Sequence, residues 1–197
     1  FQVRGQADAF YRSPIEPWGD ELLENLPTGQ VEPDFDPLAV ACAEAHRRGL
    51  RLHAWINVMP LWKGTIPPRN PNHLYHTNPR WRLIDQHAVP QPLNAHYVIV
   101  NPVLPEVQQH LVDVAADLAA RYPIDGLHLD YIRFVAESMK AGLTYPSDAG
   151  SHALFKAVHG LEATDHPVAY RAYIRDCITH LVGTMRAVLK ARRPHAV

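Results

Sequence analysis

From Gly126 to Phe134 the chain reads Gly-Leu-His-Leu-Asp-Tyr-Ile-Arg-Phe, with apolar Leu127 and Leu129 alternating with polar His128 and Asp130. A period of two predicts a strand with one face on a core, so His128 and Asp130 share the other face, toward a barrel lumen or cleft. The alternation recurs from Arg51 to Val58, where Leu52, Ala54, Ile56 and Val58 point outward and His53, Trp55 and Asn57 inward. Phe1-Gln2-Val3-Arg4 reads as the end of a further strand with Gln2 and Arg4 on its polar side, and His195-Ala196-Val197 as the start of another.

Helical patterns separate these strands. Asp36 and Pro37 open one, with Phe35 placed to staple onto Val40 and Gly49 as the left-handed stop. Pro105 opens a second, whose stripe of Val107, Leu111, Val114 and Leu118 ends at Tyr122-Pro123. A third stripe, Tyr170, Ile174, Cys177, Leu181, Met185 and Val188, runs to Arg192-Arg193-Pro194. Strands alternating with helices predict an α/β fold with a parallel sheet, a description that doubly wound sheets and barrels both satisfy.

Two long excursions interrupt this order. Met59 to His96 carries seven prolines together with Trp62, Tyr75 and Trp81, and within it residues 81–84 and 97–100 are expected to pair as a hairpin. Val135 to Asp165 shows only a weak helical patch at Leu154, Val158 and Leu161. Both leave from the C-terminal ends of strands, where α/β proteins build their sites, and loops of such length inside a compact domain are usually functional.

Composition narrows the function. With 197 residues, 47% of them hydrophobic, one domain with a substantial core is expected over 1–197. The 19 basic and 20 acidic residues leave a formal charge of −1 without a basic run, which argues against a nucleic-acid partner. No apolar stretch reaches membrane-spanning length, and no signal peptide is visible. Cys42 and Cys177 fall on helical stripes and read as small core hydrophobes, with a disulfide left open. His73 and His76 sit in a proline-rich loop without a Cys, Asp or Glu at ligand spacing, so neither a metal nor any other cofactor is expected.

Several ordered segments resemble one family. Phe1-Gln2-Val3-Arg4, then Asp8-Ala9-Phe10-Tyr11-Arg12-Ser13-Pro14-Ile15-Glu16-Pro17-Trp18, is similar to the opening motif of the glycosyl hydrolase-like 10 family. Asp36-Pro37-Leu38, Ala45 to Leu50, His53 to Asn57, Asn101-Pro102, Pro105-Glu106-Val107 and Ile124 to Phe134 follow in the family's order. The chain departs from the pattern at Gly5-Gln6-Ala7, Asn101 and Val135. The resemblance implies a (β/α)8 TIM-barrel type fold, a carbohydrate substrate and a bacterial protein that is secreted or acts in the cell envelope. A whole barrel needs about 250 residues, so this chain is expected to hold about strand 2 to the start of strand 5, truncated at both ends and able to self-associate through unpaired edges.

A glycosidase needs two carboxyl groups, one to protonate the leaving oxygen and one to act as nucleophile or to activate water. Asp130 is the first candidate. Asp8 and Glu16, in the loop after the first strand, and Glu137, after Asp130, are candidates for the second, beside an acid beyond Val197. The expected substrate contacts are Arg4, Tyr11, His53, Trp55, Asn57, Trp62, Trp81, His128, Tyr131 and Arg133, since indole faces stack on sugar rings and the polar groups suit hydroxyls. Cleavage of O-glycosidic bonds is the favoured activity. The alternatives are a metal-dependent carbohydrate deacetylase-like hydrolase and a non-catalytic carbohydrate-binding barrel.

Overall fold

The computed structural model describes residues 1–197. Strand β1 (Gln2–Arg4) leads through a short helix α1 (Asp20–Leu23) and helix α2 (Pro37–Arg47) to strand β2 (His53–Asn57). Strand β3 (Pro60–Gly64), helix α3 (Leu74–Thr77) and strand β4 (Asn94–Ile99) form the first excursion. Helix α4 (Pro105–Arg121), strand β5 (Gly126–Asp130), helix α5 (Ala149–His159) and the long helix α6 (Pro167–Arg192) complete the chain.

β1, β2 and β5 make a parallel three-stranded sheet in the order β1-β2-β5. Beyond α6, Val197 accepts from Leu127 N at 2.8 Å and donates to Asp125 O at 3.0 Å, the paired bonds of a parallel ladder beside β5. The expected strand–helix alternation is therefore present. Val3, Ala54, Ile56 and Val58 are buried on the helix-covered face of the sheet, in one core with Leu38 and Cys42 of α2, Leu111, Val114 and Leu118 of α4, and Leu181, Met185 and Leu189 of α6. A smaller cluster around Phe155, Tyr170 and Ile174 seats α5 against the start of α6. Both cysteines are free, Cys42 buried and Cys177 half-buried. No helix is long and apolar enough to cross a membrane.

Local chemistry accounts for the helix ends. Asp36 caps α2 by accepting from Leu38 N and Ala39 N, Pro37 opens its first turn, and Gly49 takes the left-handed φ of 70° just beyond it. The staple does not close: Phe35 is 56% and Val40 47% exposed. The chain entry is held instead by Asp36 Oδ2, which accepts from Tyr122 Oη at 2.5 Å. α5 is a full helix where only a weak patch was expected, capped by Asp148 on Ser151 N at 2.8 Å and stopped at Gly160.

The hairpin of the first excursion also differs. β4 pairs antiparallel with β3, placing Lys63 opposite Tyr97 and Trp62 opposite Val98. Residues 81–84 meet 97–100 only through an isolated bridge of Arg82 to Val100 and a 3.3 Å bond from Leu83 N to Ile99 O. The buried Gln91 takes the place of a ladder there, its Oε1 accepting from Ile99 N at 3.0 Å while its own N–H bonds Leu83 O.

Candidate functional site

On the face of the sheet away from the helices, register stacks the inward residues in layers. His53 lies beside Gly126, Trp55 beside His128 and Asn57 beside Asp130. In the lowest layer the His53 ring occupies the space of a side chain on Gly126: a Cβ there would lie 2.8 Å from the ring and 2.7 Å from Val197 O. One layer up, Trp55 and His128 meet edge to face at 6.0 Å, and Trp55 Nε1 donates to Asn57 Oδ1 at 3.1 Å. Asp130 ends the top layer at the C-terminal edge of β5.

Asp130 is held by one oxygen. Its Oδ1 accepts from Tyr131 N at 2.7 Å and from Arg133 Nη1 at 3.3 Å, whereas no protein group bonds Oδ2 and the side chain is 27% exposed. Tyr131 adopts φ of 48°, a left-handed backbone that costs a bulky residue about 1 to 3 kcal/mol and is tolerated where the surroundings fix it. Here the turn swings the Tyr131 ring under Tyr97, centroids 4.9 Å apart, with Arg133 4.7 Å over Tyr131 and Lys63 5.7 Å from the Tyr97 ring. These four side chains, with Phe134 and Glu137, line a cleft of about 400 Å³. Lys63 and Tyr97 escaped the sequence reading because their partnership depends on the β3–β4 register.

A buried network braces this edge from below. Arg4, fully buried, donates from Nε and Nη2 to the two oxygens of Glu16, both at 2.8 Å, and from Nη1 to Asn57 O and Val58 O. Glu16 Oε1 also lies 2.8 Å from His110 Nε2, whose ring packs edge-on against Trp81 at 5.3 Å. Burial raises the Glu16 carboxyl, but the Arg4 charge and the His110 and Arg4 bonds outweigh it and hold the group at about 2. Val58 N in turn donates to Asp130 O at 2.8 Å, so Arg4 and Asp130 grip the same end of β2. The Asn57 amide is spent inside this network, Nδ2 donating to Gly5 O at 3.0 Å.

Asp8 holds the turn after β1. Its Oδ1 accepts from Gly5 N at 3.1 Å and Gln6 N at 2.9 Å around Ala7, which has φ of 59°. Its Oδ2 is buried without a partner. Burial is the largest influence on this carboxyl; with the charges of Glu21 and Glu16 it overrides the two backbone bonds and pushes the group up to about 6.

The expected site residues thus divide. Tyr131 and Arg133 line the cleft, Asp130 stands beside it bonded to both, and Trp55 and His128 lie below on the same sheet face, with His53 at its floor. Arg4, Glu16, Asp8 and Asn57 are enclosed, at most 4% exposed, so none offers a sugar an open surface. Tyr11 is buried against Tyr122, rings 5.5 Å apart and nearly perpendicular. Trp62 is buried against His73 and donates to Ile66 O at 2.7 Å, so with Trp81 it packs the excursion rather than lining this cleft. His73 uses both ring nitrogens, on Tyr75 N and Gln6 O, and His76 bonds Pro68 O.

Parallel strands with a carboxylate at their C-terminal ends, beside an aromatic and cationic cleft, make this an α/β domain with its candidate site at the strand ends. The chain belongs to the glycosyl hydrolase-like 10 family, which it matches over residues 1–197. It is 31% identical over 160 residues to glycosyl hydrolase DigH of Escherichia coli K12, covering 78% of this chain and 35% of that protein. Glycosyl hydrolase YngK of Bacillus subtilis is 28% identical over 196 residues, 98% of this chain and 34% of its own length. The chain thus spans about a third of these relatives. Among solved structures, α-L-fucosidase isoenzyme 2 from Paenibacillus thiaminolyticus superposes with a TM-score of 0.66 at 17% identity, over 98% of this chain and 25% of that one. The GH36 α-galactosidase AgaA from Geobacillus stearothermophilus gives 0.52 at 16% identity, over 98% and 20%. At these identities the likeness is one of fold.

Proposed function

We propose that the chain forms part of a (β/α)8 glycoside hydrolase domain, about strand 2 to the start of strand 5, in which Asp130 is one of the two reacting carboxyl groups. The observation that carries this reading is the posture of Asp130: one oxygen fixed by Tyr131 N–H and Arg133, the other free beside an aromatic cleft. The free oxygen serves as nucleophile toward an anomeric carbon, or as the base that takes a proton from water. Asp130 stands beside the cleft and Glu137 is the carboxylate that lines it, so we assign Glu137 to proton transfer at the leaving oxygen. Glu16 and Asp8 act as positioning residues, because the first is locked ionised on Arg4 and the second is enclosed. Tyr97 and Tyr131 offer ring faces to sugar, while Lys63 and Arg133 offer donors to its hydroxyls.

Bacterial relatives named as glycosyl hydrolases support the substrate class, and action in the envelope or outside the cell belongs to the same proposal. The chain gathers no group of three or more His, Cys, Asp or Glu able to hold a metal ion. The test is release of reducing ends from a panel of polysaccharides by the full-length protein. Glycan binding without any release would identify a binding barrel instead.

A further inference from the structure

A larger cavity, of about 720 Å³, opens beside the Asp130 cleft, between the segment after β5, helix α5 and the first turns of α6. A helix that follows a strand begins at that strand's C-terminal end, so this cavity lies on the side of the sheet where Asp130 is exposed. Phe134 lines both spaces.

The cavity has the make-up of a ligand site rather than a packing fault. Its volume falls within the usual range of small-molecule pockets, and apolar walls carry a few polar groups. Phe134, Tyr145, Tyr170 and Ile174 supply ring and aliphatic surface. Tyr170 is fixed, its hydroxyl donating to Pro146 O at 3.1 Å and its ring meeting His152 edge-on at 5.2 Å. The Tyr145 hydroxyl, the His152 ring and the Arg171 guanidinium also line it, and none of them has a hydrogen-bond or ion-pair partner in the chain. No Asp or Glu lines the cavity. Of the neighbouring acids, Asp148 is engaged with Ser151 and Asn101, Glu162 with Lys156, Asp85 with His87 N and Val89 N, and Asp165 accepts from the Thr164 hydroxyl. A pocket with aromatic walls, a permanent cation and no carboxylate is complementary to a sugar ring that bears an anionic group.

We propose that this cavity is a subsite for a carboxylate-bearing sugar unit, on the same glycan strand that passes Asp130, with Arg171 as the carboxylate partner and Tyr145 as the stacking surface. The proposal rests on the glycosidase reading and gives it a substrate class, an acidic glycan.

The experiment uses the full-length protein carrying Asp130→Asn on an array of oligosaccharides matched in length, with and without carboxylate-bearing units, followed by calorimetry on the pairs that bind. Carboxylated oligosaccharides should bind about tenfold tighter than their neutral counterparts. Arg171→Gln should abolish that preference without lowering Tm, since Arg171 is exposed and unpaired, and Tyr145→Ala should weaken both classes. A preference that survives Arg171→Gln, or no preference at all, overturns the subsite while leaving the glycosidase reading in place. Failure to bind any oligosaccharide of either class overturns the glycosidase reading and the subsite with it.

Discussion

Arg4 and Glu16 face each other through two N–H···O bonds of 2.8 Å each, both side chains fully enclosed. Because Arg4 also donates to Asn57 O and Val58 O, the pair ties the loop after β1 to the end of β2 against which Asp130 is set. Removing one member of such a pair strands a buried charge, so Glu16→Ala should cost about 3 to 5 kcal/mol in urea unfolding. The folded Glu16 carboxyl, at about 2, lies below its ordinary 4.5. Its stabilisation is therefore complete above pH 4.5 and drains away as pH falls toward 2. A loss under about 1 kcal/mol on substitution would show that the pair does not brace the site.

Asp8 behaves in the opposite sense. Its carboxyl rises from 3.8 to about 6 in the folded chain, chiefly through burial, so the native state holds a proton that the unfolded chain has released. Asp8 thus contributes stability below pH 3.8 that is lost as pH climbs through 6. Asp8→Asn keeps an acceptor for Gly5 N and Gln6 N without the buried charge. It should raise Tm at pH 7 and flatten the Tm profile over that window; an unchanged profile would place the titration in another group.

The close approach at the base of the sheet gives a third prediction. Gly126→Ala would set a methyl group 2.7 Å from Val197 O and 2.8 Å from the His53 ring, and a backbone carbonyl cannot rotate aside. Overpacking of this kind costs about 1 to 3 kcal/mol, read as a lower midpoint in denaturant. An unshifted midpoint would mean that Val197 does not pair with β5 in solution.

How much of this was legible depended on range. Period-two alternation revealed the face shared by His53, Trp55, Asn57, His128 and Asp130, and Pro37, Asp36 and Pro105 marked helix starts, because those signals are carried within a few residues. Helix α5 was understated because its buried side holds only Ser151 and Phe155, too little to make a stripe. The pairing of Lys63 with Tyr97 and the bond between His110 and Glu16, 94 positions apart, have no local signature. On the polar side of its strand Arg4 reads as a fixed cation for substrate; its partner, Glu16, lies across a loop whose path the sequence does not disclose.

The two aromatic groups of the first excursion separate by experiment. Trp62→Ala removes a buried indole and its bond to Ile66 O, and should lower stability by about 3 to 5 kcal/mol. Tyr97→Ala, at the cleft, should weaken oligosaccharide binding several-fold and move Tm far less. Calorimetry and thermal melts on both variants check this, and the reverse assignment would place the glycan against Trp62.

Asp130→Asn tests the central claim most directly. The substitution keeps the shape and the acceptor for Tyr131 N–H but removes the ionisable group. Turnover and Tm, measured on one preparation of the full-length protein with a polysaccharide it cleaves, should show turnover lower by orders of magnitude while Tm and glycan affinity stay near those of the wild type. Wild-type turnover per folded molecule, whether or not Tm falls, would contradict the assignment of Asp130 as a reacting carboxylate.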